Sequence, residues 1–179
     1  DQHNALMGYG PLTARALNAQ WVLSAVSGIG LMHSCCNLPI LMPQVFDKVD
    51  LRGDSIAWNF SKYQPDIVTV CLGQNDGVQD SAAFVNHYLD FINQLRQHYP
   101  NATFLLLSSP MADANLRQFL RVSLKAVQQQ ARLNGEQHIG IYIFEKSYNA
   151  GCDYHPSLEE HREIANLLTA AIKKLMHWK

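Results

Sequence analysis

Asp153 and His155 stand two residues apart and are followed by Pro156. A carboxylate can accept a hydrogen bond from one imidazole nitrogen and leave the other to take a proton from a nucleophile. The spacing fits one loop entering a helix, with Pro156 in the first helical turn; the same residues can also act simply as helix caps. Two further motifs are polar or glycine-rich, Ser27-Gly28-Ile29-Gly30 and Gly73-Gln74-Asn75-Asp76. The Asn75 amide could donate to a developing oxyanion and Gly28 could add a backbone N–H. An isolated GQND reads more readily as a plain turn. Its place directly after an apolar run, as with SGIG, and the loop ending in DYHP after the fourth run shift the reading towards chemistry.

A nucleophile is harder to place. Gly53-Asp54-Ser55-Ile56 offers a serine, but it lies between the first and second apolar runs and precedes Ala57–Tyr63, which has helical character. Asp54 or Ser55 as a helix cap explains it well, and Ser55 is the lesser candidate. His33 stands near Cys35 and Cys36, yet no second cluster has ligand spacing and no CxxC pair occurs, so a loop histidine is expected and no metal. His87, His98 and His161 fall within helical patterns. Asp113 and Asn115 either help to bind substrate or cap the next helix. Tyr154 and Trp58 could stack on a sugar ring or belong to core or rim.

Positioning these residues requires a scaffold. Four apolar runs stand out, Trp21–Ser27, Asp66–Leu72, Thr103–Ser108 and Ile139–Phe144. Each is nearly continuous rather than alternating, as in strands of a parallel sheet covered on both faces. Helical spacing appears over Gly10–Leu17, Ser81–His98, Leu116–Leu133 and Ser157–Trp178. In the second of these, Phe84, Tyr88, Phe91, Ile92 and Leu95 form one stripe. In the third, Leu116, Phe119, Leu120, Leu124 and Val127 do. In the last, Leu158, Ile164, Leu167, Leu168, Ile172 and Leu175 do. The alternation predicts a doubly wound α/β fold, whose ligand crevice lies at the carboxyl ends of the strands, where the polar motifs fall. Leu31–Asp50 reads as a long loop of functional character. The chain opens with a helix, whereas the first strand of such a sheet commonly lies at its centre; an N-terminal piece of the fold is therefore expected to be missing.

The 179 residues fit one domain. A net charge of -1 argues against nucleic-acid binding, which needs a basic face. No apolar run approaches the roughly 20 residues that span a bilayer, so no membrane partner is expected. The four cysteines leave the redox compartment open. Cys71, in an apolar run, reads as a buried small hydrophobe, and a disulfide from Cys35 or Cys36 to Cys152 is possible.

The order SGIG, GQND, DYHP resembles three sequence blocks of the SGNH (GDSL-type) hydrolases. Gly8–Leu17, Tyr63-Gln64-Pro65-Asp66 and Gly151–Ser157 are similar to the catalytic domain of carbohydrate esterase family 2. The resemblance implies a three-layer α/β/α flavodoxin-like fold over residues 1–179, and an acetyl esterase acting on plant polysaccharides such as xylan or glucomannan. It implies His155 as base, Asp153 as its orienting residue, Gly28 and Asn75 as oxyanion donors, and Tyr154 beside the substrate. It implies no metal or organic cofactor, and a secreted or periplasmic location. The family's serine belongs in a segment before Gly8, which this sequence lacks, and an upstream β-sandwich domain, usual in the family, is not seen. A catalytically silent carbohydrate-binding relative and a lipase- or thioesterase-type member of the superfamily are the alternatives.

Overall fold

A computed structural model describes residues 4–52 and 56–179. The candidate serine Ser55, with Gly53 and Asp54, lies outside the described residues. The chain forms two compact units. One comprises the chain up to Leu23 together with Pro110–Asp113 and Glu145–Lys179; the other comprises Ser24–Ser109 and Ala114–Phe144.

The second unit carries the sheet. β1 (Ile67–Val70), β2 (Thr103–Leu107) and β3 (Ile139–Tyr142) pair in parallel in the order β1-β2-β3. Val70 lies opposite Leu106, and Leu107 opposite Tyr142. Beyond the ladder, Phe144 N donates to the buried Ser108 hydroxyl at 2.9 Å, which keeps the two strand ends together. The connections are helices, α3 (Ser81–His98) and α4 (Ala114–Leu133), as parallel pairing demands. In α3 all five stripe residues, Phe84, Tyr88, Phe91, Ile92 and Leu95, are buried. Leu116, Leu120, Leu124 and Val127 of α4 are buried too, while Phe119 is half-buried and meets Phe84 edge-on at 5.1 Å. Asp80 caps α3 by accepting from Ala83 N at 2.8 Å. At the other end of α3, Arg96 pairs with Glu136 at 2.7 Å and donates to the Tyr99 and Pro100 carbonyls. The Tyr88 hydroxyl donates to the Val70 carbonyl at 3.3 Å, and burial holds its pKa well above the ordinary phenol range. The fold is α/β with a parallel sheet, as expected from the continuous apolar runs.

Two expectations fail. Trp21–Ser27 forms no strand, and Trp21, Val22 and Leu23 are exposed. Its composition suits a ladder, but main-chain groups pair only where another strand lies alongside, and among the described residues the sheet is β1-β2-β3. Ala57–Tyr63 yields only one 3₁₀ turn, Phe60–Lys62. Its start is extended instead, with Ala57 in an antiparallel bridge to Lys48 and Trp58 N donating to the Asp47 carbonyl at 2.7 Å. The Phe60 ring then stacks on His98 at 3.9 Å, so this stretch is set by tertiary contact and not by helical propensity. The long segment Leu31–Asp50 is mostly loop and contains one short helix, α2 (Met42–Val45).

In the first unit, α1 (Tyr9–Ala16) packs on α5 (Leu158–Met176). Pro11 sits buried in the first turn of α1, where its missing N–H costs nothing. Thr13 and Ala14 of α1, and Ile164, Ala165, Leu168 and Ile172 of α5, are buried; Leu158 and Leu167 of the expected stripe are exposed. Glu159 and Glu160 in the first turn of α5, with Lys173 and Lys174 in the last, complement the helix dipole. Tyr148 is buried and its N–H donates to the Pro110 carbonyl at 2.8 Å, tying the two loop segments of this unit together. Among the described residues no helix is long and apolar enough to cross a membrane.

Candidate active site

Gly28 and Asn75 belong to the same unit and are brought together by one hydrogen bond. Asn75 Nδ2 donates to the Ile29 carbonyl at 2.8 Å. That bond uses one amide N–H and orients the group, which leaves the second N–H to donate outward. Gly28 has φ +84, and a Cβ there would stand 3.0 Å from Cys35 Sγ. Both the backbone conformation and the close Cys35 sulfur favour glycine. The Gly28 carbonyl accepts from Cys35 N at 2.9 Å, while its own N–H donates to no group among the described residues. Two unspent donors on either side of Ile29 are the arrangement an oxyanion needs.

The loop after Gly28 is organised by a residue that sequence reasoning passed over. Asp76 is buried at 3% exposure, and its carboxylate accepts from three successive backbone N–H groups. Leu31 N reaches both oxygens at 3.0 Å, Met32 N reaches Oδ1 at 2.7 Å, and His33 N reaches Oδ1 at 2.9 Å. Successive N–H groups turned to one side form an anion cradle, here filled by the protein's own carboxylate. A Cβ on Gly30 would meet Asp76 Oδ2 at 2.9 Å and the His33 carbonyl at 1.8 Å, so the cradle closes only with glycine at that position. Gly30 N donates to the Ser34 hydroxyl, which donates in turn to the Ile40 carbonyl. The signal was present in GQND, whose last residue is an aspartate directly after the candidate donor. His33 is exposed and serves this cradle through its main chain.

His155 and Asp153 lie in the first unit, on the 3₁₀ turn Cys152–Tyr154 and its C-cap. His155 is exposed, and its Nδ1 lies 3.0 Å from the main-chain carbonyl of Asp153. A carbonyl can only accept, so Nδ1 is the donor in this contact; in the neutral ring Nε2 then keeps its lone pair, the tautomer a base requires. The contact therefore comes from Asp153, but through its backbone and not its carboxylate, which has no hydrogen-bond partner among the described residues. The cause is local conformation. Asp153 and Tyr154 both adopt positive φ, 51 and 58. Consecutive left-handed residues other than glycine cost about 1–2 kcal/mol each. Tyr154 is 79% exposed.

Behind this turn, His161 stacks on Tyr9 with ring centroids 6.0 Å apart. Its Nδ1 is buried without a hydrogen-bond partner among the described residues. Burial lowers its pKa from the usual 6.5; the nearby His155 lowers it further and Glu160 opposes. The unfolded chain takes up this proton at higher pH than the fold does, so stability falls as pH drops from 6.5 towards the lowered value.

Cys35 and Cys36 form a disulfide with each other, which removes the expectation of a link from either to Cys152. Cys36 sits at φ 62 beside this link, and Asn37 follows at φ 59. Cys152 is exposed, and Cys71 is only half-buried, its sulfur 3.7 Å from the Ser108 carbonyl. Alkylation of unfolded, unreduced protein is expected to modify Cys71 and Cys152 alone, and all four cysteines of this chain after reduction. Peptide mass mapping reads the result, and four modified cysteines before reduction would refute the pairing. Trp58 is half-buried in the second unit, and Asp113 and Asn115 are exposed around the start of α4.

Residues 40–168 match the model of the GDSL-like lipase/acylhydrolase family. The chain belongs to this family. It is 32% identical over 183 residues to a cellulase/esterase of Acetivibrio thermocellus, covering 98% of this chain and 22% of the relative. It is 29% identical to an acetylxylan esterase/glucomannan deacetylase of Cellvibrio japonicus, over 98% of this chain and 50% of the relative. A solved family two carbohydrate esterase from Clostridium thermocellum, in complex with cellohexaose, aligns with TM-score 0.91 and 31% identity, covering 98% of this chain and 56% of that one. This GDSL-like chain thus spans half or less of the length of the curated relatives it matches.

Proposed function

We propose that the protein is a carbohydrate acetyl esterase that removes O-acetyl groups from polysaccharides such as xylan or glucomannan through an acyl-enzyme. The observation that carries this reading is the pair of unspent donors, Gly28 N–H and the second Asn75 amide N–H, fixed around Ile29. A serine hydroxyl attacks the acetyl carbonyl. His155 Nε2 takes its proton, with the Asp153 carbonyl holding the ring by Nδ1. Gly28 and Asn75 receive the negative charge on the tetrahedral oxygen, a role in which one donor is worth about 10²–10³ in rate. His155 returns the proton to the leaving sugar hydroxyl and then activates water to release acetate. Tyr154, with its ring in solvent, offers a face on which a sugar can stack. A polymeric substrate places the enzyme outside the cytoplasm, secreted or periplasmic.

The test is ester hydrolysis by the full-length protein. Acetate should be released from acetylated xylan or glucomannan, and p-nitrophenyl acetate should be turned over at least about tenfold faster than the octanoate. Faster hydrolysis of long chains would replace this reading with a lipase- or thioesterase-type activity. A second reading is glycan binding without turnover, favoured by the cellohexaose carried by the C. thermocellum relative. Titration with cellohexaose, showing binding in the absence of any ester hydrolysis, would establish it.

A further inference from the structure

α5 begins with a capping box. Glu160 N donates to the Ser157 hydroxyl at 3.3 Å, and Ser157 N donates back to Glu160 Oε2 at 2.8 Å. A capping box needs nothing more from its acidic residue. The Glu160 carboxylate nevertheless reaches across to the other arm of the loop. Ala150 N donates to Oε2 at 2.9 Å and Asn149 N donates to Oε1 at 3.2 Å. One side chain thus closes the segment from Asn149 to Ser157 at both ends. Inside it, Gly151 N donates to the His155 carbonyl at 2.7 Å, and His155 N donates to the Cys152 carbonyl at 3.0 Å. A Cβ on Gly151 would stand 2.8 Å from the His155 carbonyl oxygen and 2.9 Å from that of Pro156, so the two arms lie against each other. The closed segment is the one that holds Asp153 and Tyr154 in their left-handed conformations, and so aims the Asp153 carbonyl at His155 Nδ1.

We propose that Glu160 is a positioning residue for His155: its carboxylate closes the loop Asn149–Ser157 and thereby holds the imidazole against the Asp153 carbonyl. The inference rests on the reading of His155 as the base. Alternate loop conformations are costly to exclude without a brace, because two consecutive residues are strained. The carboxyl pKa agrees with the geometry: although burial raises it, the N–H groups of Ser157, Ala150 and Asn149 together bring it below the usual 4.5. The charged clamp is present above 4.5 and is lost as pH falls through the lowered value.

The discriminating variant is Glu160→Gln in the full-length protein. Glutamine keeps a capping box, but it replaces one acceptor oxygen by an NH₂ group that cannot accept from the loop. With Oε2 kept for Ser157 and Ala150, the lost acceptor is the Oε1 that faces Asn149, so amide hydrogen exchange should quicken there first, and kcat for p-nitrophenyl acetate should fall about tenfold or more with KM within about twofold. Glu160→Asp, one methylene shorter, keeps the charge and the cap and should show the same split, which covers the case in which the glutamine variant does not fold. Unchanged exchange at the two amides would overturn the clamp. Faster exchange with unchanged kcat, while His155→Ala abolishes turnover, would overturn the positioning role and leave the base in place. Full turnover by His155→Ala would remove the reading on which the inference rests.

Discussion

His155→Ala in the full-length protein is expected to lower kcat for acetyl-ester hydrolysis by about 10³–10⁴-fold, with folding unaffected. The ring is exposed and is held by a main-chain carbonyl, so its removal leaves no buried group unsatisfied. In the proposed mechanism its chemical contribution is used twice, in forming and in resolving the acyl-enzyme, and both steps would fail without it. The contrast with Asp153 sharpens the expectation. Were the Asp153 carboxylate the orienting group, Asp153→Asn would cost nearly as much as loss of the base. Because the main-chain carbonyl makes the contact, Asp153→Asn should reduce kcat by less than about fivefold, and asparagine tolerates the positive φ of 51 as well as aspartate does. Steady-state kinetics with p-nitrophenyl acetate on both variants decide the matter. A large loss in Asp153→Asn would show that the carboxylate orients the ring during turnover.

Asp76→Ala carries the largest expected effect on stability, about 2–4 kcal/mol, a substantial share of the 5–15 kcal/mol that holds a typical domain. The substitution removes the acceptor of three backbone N–H groups at once. Leu31 N is sealed from water, with its residue 1% exposed, and bears the full penalty of an unsatisfied donor; Met32 and His33 can be partly rehydrated. Asp76→Asn should cost about half as much, because one oxygen still accepts while the other position presents N–H to N–H. The midpoint of urea unfolding measures both variants, and a loss below about 1 kcal/mol for the alanine form would refute the cradle as a stabilising device. Acetyl-ester turnover should also fall in any Asp76→Ala protein that remains folded, because the Gly28–Ile29 segment carrying the candidate donors enters this loop.

Much of the scaffold was legible in the residues. The limits of α3 follow from an apolar stripe at helical spacing, an aspartate cap and Tyr99-Pro100 as a stop, all of them local signals. The three strands were legible because parallel strands are apolar along their whole length. The same signal misled at Trp21–Ser27, since composition states only that a segment can pair and a ladder requires a neighbour. Ala57–Tyr63 failed for a related reason: Phe60 is claimed by His98, a partner 38 positions along, more strongly than by its own helical propensity.

For the site, the sequence by itself determined which residues are chemically equipped: an imidazole at 155, an amide at 75 and a glycine at 28, each after an apolar run. Tertiary structure decided how each is held. Asp76 reaches backbone groups 43 to 45 residues away, which no local pattern announces. Asp153 touches His155 with its carbonyl and not its carboxylate, because two residues take left-handed backbone angles that side-chain types do not specify. Glu160 looks like an ordinary capping residue until Asn149 and Ala150 are found against it. Side-chain chemistry is written in residue type, whereas the direction of a carbonyl or N–H depends on backbone angles set by the packing of the whole fold.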